Sequence, residues 1–577
     1  MRTIVLASVV LGIATGVAKG QADAKADLIL THGAILTMDP ADHVVDAIAI
    51  RQGEIAAVGT SDQVMRFRGP HTTVIDLHGR AATPGLIDTH GHFADGGADQ
   101  LFNVDLSDAG TVPDVVQRVG AAVAKRKAGE WIIGQGWDEG KLAERRYVYA
   151  RDLDAVSPDN PVWLMHTTGH YGVANTAALR LGEIDARTPN PPAGTIDRDA
   201  NGEPTGVLEE SAMDMVGRHV PPLTRDQIEQ GILAIVDELH HEGMTSVKEA
   251  DLQPQQWDAY RSLLEGGKLH ERIFALLHAG TTVASAQEVV ARLARLPHPP
   301  ASLGNGLLFA GGAKIYMDGS GGARTAWVYD PWHTGSTTVD SGNTGYPAMD
   351  TTVYRQMVRL FHRSGVTVGT HAVGDRAIDW VVDTYAAVLR ETPTSGLRHT
   401  VIHANIPTDH AIATMAALEK QYDAAYPESQ APFMWWIGDT YAGTFGPARA
   451  QRLKPLHTFL VRGIHWGGGS DYPVTPFPAR YGIWASVART TLKGTYGAQP
   501  FGTAESVDVH AALRSYTSWA APLLFLEHRV GTLEKGKRAD IAVWDRNPYA
   551  VPSDALKDMK CEMTILDGTI VWRAPTL

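Results

Sequence analysis

Two rhythms of apolar residues divide this chain. From Asp27 to about Arg80, and again from about Val530 onward, apolar and polar residues alternate between glycine turns. The segments are DLILTHGAILTMD, AIAIRQGEIAAVG and TTVIDLHGR at one end, GTLEKGKRADIAVWDRN and MTILDGTIVWRA at the other. A period of two predicts short strands of a small antiparallel sheet. Half-sheets at opposite ends of a chain predict one composite β-sandwich domain, 23–80 with 530–577, closed when the termini meet.

The rhythm changes over 81–529. β-branched runs (MTSVKEA, RIFALLHAG, GLLFAGGAKIYMD, GVTVGTH, HTVIHA, IHWGGGSD) are separated by stretches with helical spacing, such as TRDQIEQGILAIVDELHHEG and DTTVYRQMVRLFHRSG. With ATPGLIDTH as strand 1 and YDAAYPES as strand 7, this predicts an α/β protein built on a (β/α)8 TIM-like barrel. About 150 residues lie between strand 1 and the next strand, far more than a βα loop needs. An inserted subdomain over 95–225 is therefore expected. It holds Trp131, Trp137, Asp138, Glu139, His166, His170, Tyr171 and Asn175, which suit either a lid over the barrel mouth or packing within the insert.

The barrel pattern gives the histidines a meaning. His90 and His92 close strand 1, Lys314 lies in GGAKIYMDGS, His371 ends GVTVGTH, His403 ends HTVIH and Asp471 follows HWGGGS. Side chains at the C-terminal ends of parallel strands converge on the barrel mouth, and imidazole with carboxylate is the ligand set of borderline divalent cations. With 24 histidines in 577 residues, roughly one His-x-His pair arises by chance. It is the ordered set that points to a metal-dependent hydrolase.

Composition narrows the partners. A chain of 577 residues, 44% hydrophobic, builds one large core and a satellite domain. A net charge of −13 without basic runs argues against nucleic acid or an anionic membrane. A small-molecule substrate is expected, and a homo-oligomer is compatible with the chain. Residues 1–22 read as a signal peptide: Arg2, an apolar run from Ile4 to Val17, then small residues at Ala18, Gly20 and Ala22. The run is too short to span ~30 Å of hydrocarbon, so no stable membrane association is expected after cleavage. The single cysteine, Cys561, allows no internal disulfide. A periplasmic or secreted protein held by its core is the expectation.

PGLIDTHGH, GGAKIYMDGSGGARTA, THAVGD, IHA and GSDYP, followed by GTLEKGKRADIAVWD, resemble the amidohydrolase superfamily and, within it, the YtcJ-like metal-dependent hydrolases. The likeness extends to GWDEGKL and TTGHYGVANTAAL in the insert. It implies hydrolysis of an amide or related C–N bond by a metal-activated water. His90 and His92 would be ligands from strand 1, His371 and His403 from strands 5 and 6, and Asp471 from strand 8. Asp471 would also be the catalytic base, and His371 or His170 would assist at the oxyanion. Lys314 takes the place of a bridging lysine that carries a carboxylate in related enzymes, with two zinc ions per chain.

Alternatives remain at several positions. Lys248 of MTSVKEA competes for the bridge, although the KIYMDG context favours Lys314. His399 shares the face of His403, and His465 reads as a packing residue. Asp318 and Arg324 either contact substrate or stabilise their loop, while Trp137, His170, Tyr171 and Trp435 are candidates for the substrate wall. A deaminase, lactonase or isomerase would keep most of the same ligands. A non-catalytic binder would not need Asp471.

Overall fold

The computed structural model describes residues 25–333, 342–494 and 502–577. The signal-peptide expectation, residues 1–22, lies outside them. No helix among the described residues is long and apolar enough to cross a membrane.

Eight parallel strands form the barrel: strand 1 Leu86–Gly91, strand 2 Met244–Leu252, strand 3 Arg272–His278, strand 4 Leu308–Tyr316, strand 5 Thr367–Ala372, strand 6 Thr400–His403, strand 7 Tyr426–Ser429 and strand 8 Gly467–Gly468. Strand 8 lies back against strand 1, where Thr89 Oγ1 donates to the Gly468 carbonyl at 3.0 Å and the Asp471 amide donates to the His90 carbonyl at 2.7 Å. Closure requires glycine here, because a Cβ on Gly467 would stand 2.6 Å from the Thr89 side chain.

The helices obey the spacing that predicts them. Arg225–His241 starts in a capping box, Thr224 with Gln227, and buries Ile228, Ile232, Ile235 and Leu239 along one stripe. Thr351–Arg363 is capped by Asp350 and turns Tyr354, Met357, Val358 and Phe361 inward.

The chain ends do share a sheet. Its strand order is Thr569–Arg573, Cys561–Leu566, Ile541–Trp544, Ala81–Pro84, Ala34–Leu36 and Val44–Val45, with Val543 opposite Ala82. Leu30, Ile48 and Ile50 of a four-stranded neighbour pack with Ile35, Ala82, Ile541 and Ile565 into one core. Two expectations are corrected. The sheets are mixed rather than antiparallel, since Leu28–Thr31 runs parallel to Thr73–Asp76 and Ala34–Leu36 parallel to Ala81–Pro84. ATPGLIDTH is not one strand either: its first half belongs to the composite sheet, and the chain passes Gly85 before strand 1 begins. That passage is tight, for a Cβ on Gly85 would meet Thr245 Oγ1 at 2.2 Å. The two domains are locked by Arg272 of strand 3, whose guanidinium donates to both Asp540 oxygens at 2.7 and 2.9 Å with all partners buried.

The insert is a six-stranded sheet, ordered Gly194–Arg198, Pro204–Glu210, Tyr171–Ala174, Val162–His166, Ile132–Trp137 and Val104–Asp105. The hairpin between Val162–His166 and Tyr171–Ala174 reaches the barrel mouth, where Thr167 Oγ1 donates to the Val474 carbonyl at 2.9 Å.

Candidate metal centre and its cavity

Strand ends 1, 4, 5 and 6, with the loop after strand 8, bring the predicted residues together. His92, Lys314, His371, His403 and Asp471 line a cavity of about 1060 Å³ at the mouth, with His170 of the insert and Asp318. His90 lies beneath them, fully buried. Asp471 Oδ1 stands 3.2 Å from Nε2 of both His90 and His92. His90, His403 and Asp471 offer ligand atoms all within 4.8 Å of one another. Asp471 has a left-handed backbone, φ 59°, a strain of the kind that collects at functional sites.

Hydrogen positions decide whether this group suits a cation. The His371 Nε2 meets the Gly319 carbonyl at 3.0 Å, and a carbonyl only accepts, so Nδ1 carries the lone pair. His403 Nδ1 meets the Gln430 Oε1 at 2.8 Å, an oxygen that also accepts from Lys454 Nζ at 3.0 Å, so its Nε2 carries the lone pair. Those two lone-pair nitrogens lie 3.0 Å apart. His90 Nδ1 faces a carboxylate oxygen of Glu428 at 3.3 Å, which turns its own lone pair toward Asp471. His90 Nε2 is buried and makes no hydrogen bond. Buried acceptors facing acceptors are stabilised by a positive charge between them, and the residues present therefore fit a divalent metal.

Electrostatics favour neutral imidazoles at His371 and His403, whereas at His92 burial is outweighed by the pull of Asp471, which raises the ring's pKa. Burial first, and then neighbouring His170 and Lys314, hold His371 well below its ordinary value; burial and then His371 do the same to His403. Burial also pulls Lys314 down, against the opposing pull of Asp251 and Asp471. Asp318 is pushed up to about 7 by burial, although its oxygens accept from the Trp327, Val373 and Gly374 amides. Its work in the structure includes holding the loops after strands 4 and 5.

The two lysines differ in their surroundings. Lys248 Nζ is 2.5 Å from Glu428 Oε1, fully buried and away from the cavity, whereas Lys314 opens onto it beside the Tyr316 ring. His399 faces away, with its Nε2 2.9 Å from His362 Nδ1, and His465 pairs with Glu419.

Four of the expected substrate contacts do not reach the cavity. Trp137 is fully buried in the insert, its indole donating to the Leu164 carbonyl at 3.1 Å. A register shift at Gly136, φ 92°, turns it inward. Tyr171 is buried with it and bonds Glu139 and His166. Arg324 lies in the loop after strand 4, half-buried and off the cavity wall. Trp435 packs on Trp436, Tyr481 and Trp484; successive positions of the helix Pro432–Trp436 face different ways, so Trp436 takes the wall in its place.

Several residues escaped the sequence reading. Asp251, His278 and Tyr316 form a network at the ends of strands 2, 3 and 4, with Asp251 accepting from His278 Nδ1 at 2.8 Å and from the Tyr316 hydroxyl at 3.1 Å. The strand-end rule that marked His371 marks His278 equally. Glu210 holds His170 Nδ1 at 3.0 Å and accepts from Thr325 Oγ1. No short-range signal joins Glu210 to His170, which lie 40 residues apart.

A profile described as amidohydrolase family matches residues 73–572, and the chain belongs to that family of metal-dependent hydrolases acting on C–N bonds. It is 28% identical over 546 residues to the putative amidohydrolase YtcJ of Bacillus subtilis, covering 94% of this chain and 98% of that one. It is 29% identical over 565 residues to the N-substituted formamide deformylase of Arthrobacter pascens, covering 94% and 98%. The crystal structure of an uncharacterized metal-dependent hydrolase from Pyrococcus horikoshii matches with a TM-score of 0.69 at 25% identity, over 91% of this chain and 99% of that one.

Proposed function

We propose that this chain is an exported hydrolase that cleaves the amide-type C–N bond of a small molecule, N-substituted formamides being the first class to try. The observation that carries the reading is the set of inward-facing acceptors His90, His403 and Asp471, opening onto a cavity with room for a small substrate. Two divalent ions, zinc by ligand type, would be held by His90, His92, His371, His403, Asp471 and a carboxylated Lys314. Burial favours the neutral amine of Lys314, the form that reacts with carbon dioxide. When bound, the metal supplies a Lewis acid and lowers the pKa of a water toward ~7.

The remaining work belongs to side chains. An oxygen of Asp471 accepts a proton from the attacking water and returns it to the leaving nitrogen as the C–N bond breaks. His170, its Nδ1 committed to Glu210, presents Nε2 to the cavity and orients the substrate's polar group. Trp436, Phe477 and Tyr481 give the wall an apolar side for the substituent. The class of substrate is supported by the deformylase likeness. Export is supported by the apolar run with its small-residue exit near Gly20 and Ala22.

The test is metal analysis of the purified protein, then a screen of N-substituted formamides, N-acyl amino acids, aryl amides and lactones. About two ions per chain and amine release from a formamide or amide are expected. Lactone opening with no amide turnover would overturn the substrate reading. N-terminal sequencing of periplasmic protein should find a start near residue 21 or 23, and an intact Met1 would overturn export.

A further inference from the structure

Barrel strand 7 contributes no candidate ligand, yet it meets two of them from behind. Glu428 lies in strand 7 and Gln430 directly after its end, and both are fully buried. Glu428 puts one oxygen 3.3 Å from His90 Nδ1 and the other 2.5 Å from Lys248 Nζ, and both side chains are fully buried. Gln430 puts Oε1 2.8 Å from His403 Nδ1 and 3.0 Å from Lys454 Nζ. Each acceptor oxygen or its carboxylate partner thus has a lysine behind it, and each takes the hydrogen from the outer nitrogen of an imidazole. The inner nitrogens are left as lone pairs, His90 Nε2 3.2 Å from Asp471 and His403 Nε2 3.0 Å from His371.

We propose that Glu428 with Lys248, and Gln430 with Lys454, are positioning residues that fix the tautomers of His90 and His403 for metal binding. Strand 7 is then the orienting strand of the centre, which gives the KEA of strand 2 a role distinct from bridging. A buried lysine–carboxylate pair kept only for packing would not need its second oxygen aimed at a ligand histidine. The inference rests on the metal-centre reading, and outer hydrogen-bond partners of this kind carry about 10–100-fold in metal affinity.

The experiment measures zinc affinity by chelator competition, alongside urea unfolding of the metal-free protein. Removing one charge alone would leave the other buried and unpaired, so the pair is replaced together. Lys248→Met with Glu428→Leu is expected to weaken zinc binding by about 10–100-fold while the metal-free protein unfolds near the wild-type midpoint. Lys248→Met with Glu428→Gln keeps an amide oxygen for His90 Nδ1 and should recover most of the loss. Gln430→Leu, neutral throughout, should weaken binding on its own even if the strand 2 variants fail to fold. Long-range ¹H–¹⁵N spectra of the metal-free protein, assigned by His90→Asn and His403→Asn, should show both imidazoles with hydrogen on Nδ1. Unchanged zinc affinity in the folded variants, or hydrogen on Nε2, overturns the positioning role. A wild-type protein that takes up no divalent ion brings down the metal-centre reading, and this inference with it.

Discussion

Two groups of side chains in this molecule have the makings of a metal site, and they differ in where their hydrogens lie. One is His90, His403 and Asp471 at the barrel mouth; the other is Asp138, Glu139 and His166 in the insert. In the insert the Thr168 amide donates to His166 Nδ1 at 3.1 Å, so Nε2 carries the hydrogen. That hydrogen points at the Tyr171 oxygen, 2.7 Å away, and the Tyr171 hydroxyl donates to Glu139 at 2.8 Å. Asp138 accepts from Thr440 Oγ1 at 2.6 Å and from the Gly140 amide at 2.8 Å. Donors and acceptors find partners here, since none of these side chains leaves a buried nitrogen or oxygen without a hydrogen bond. At the mouth they do not balance, because every outer nitrogen is already supplied with an acceptor. Residue type nominates both clusters, and the surplus of buried acceptors favours the mouth as the proposed cation site.

The comparison can be attacked first through turnover. Asp471→Asn keeps size and removes proton acceptance, so kcat should fall by about 10²- to 10⁴-fold with the circular dichroism unchanged. Turnover close to wild type would remove Asp471 from the chemistry.

Metal content separates the two clusters directly. His403→Ala should lose bound metal, and a chelator should abolish wild-type activity, while His166→Ala keeps the wild-type stoichiometry. A drop in metal content on changing His166 would break the comparison. Lys314→Ala should also lower metal content, and added short carboxylic acids should restore part of the activity by returning an oxygen anion to the space. Full metal content and activity in that variant would remove Lys314 from the centre.

The smallest effect sharpens the network side. Tyr171→Phe deletes the hydroxyl that links buried His166 to half-buried Glu139, and should cost about 1–3 kcal/mol in urea unfolding with metal content intact. No loss of stability would mean the hydroxyl is not part of a balanced network.

The chain by itself determined the things that depend on local period. Alternation at the two ends marked the composite domain, and β-branched runs followed by helical spacing marked the barrel. A strand has a defined end, and so the chain itself placed His92, Lys314, His371, His403 and Asp471 at the mouth, with His90 lying just beneath it. The excess length after strand 1 revealed the insert but not its interior, where the shift at Gly136 buries Trp137. The tertiary structure alone decided which lysine meets Glu428, which tryptophan of Trp435 and Trp436 faces the cavity, and which nitrogen of each histidine is free. The reason is distance along the chain: Glu428 lies 338 residues from His90 and 180 from Lys248. A hydrogen bond that fixes a tautomer is made by whatever packs behind the ring, and that neighbour is chosen by barrel closure rather than by any pattern near the histidine.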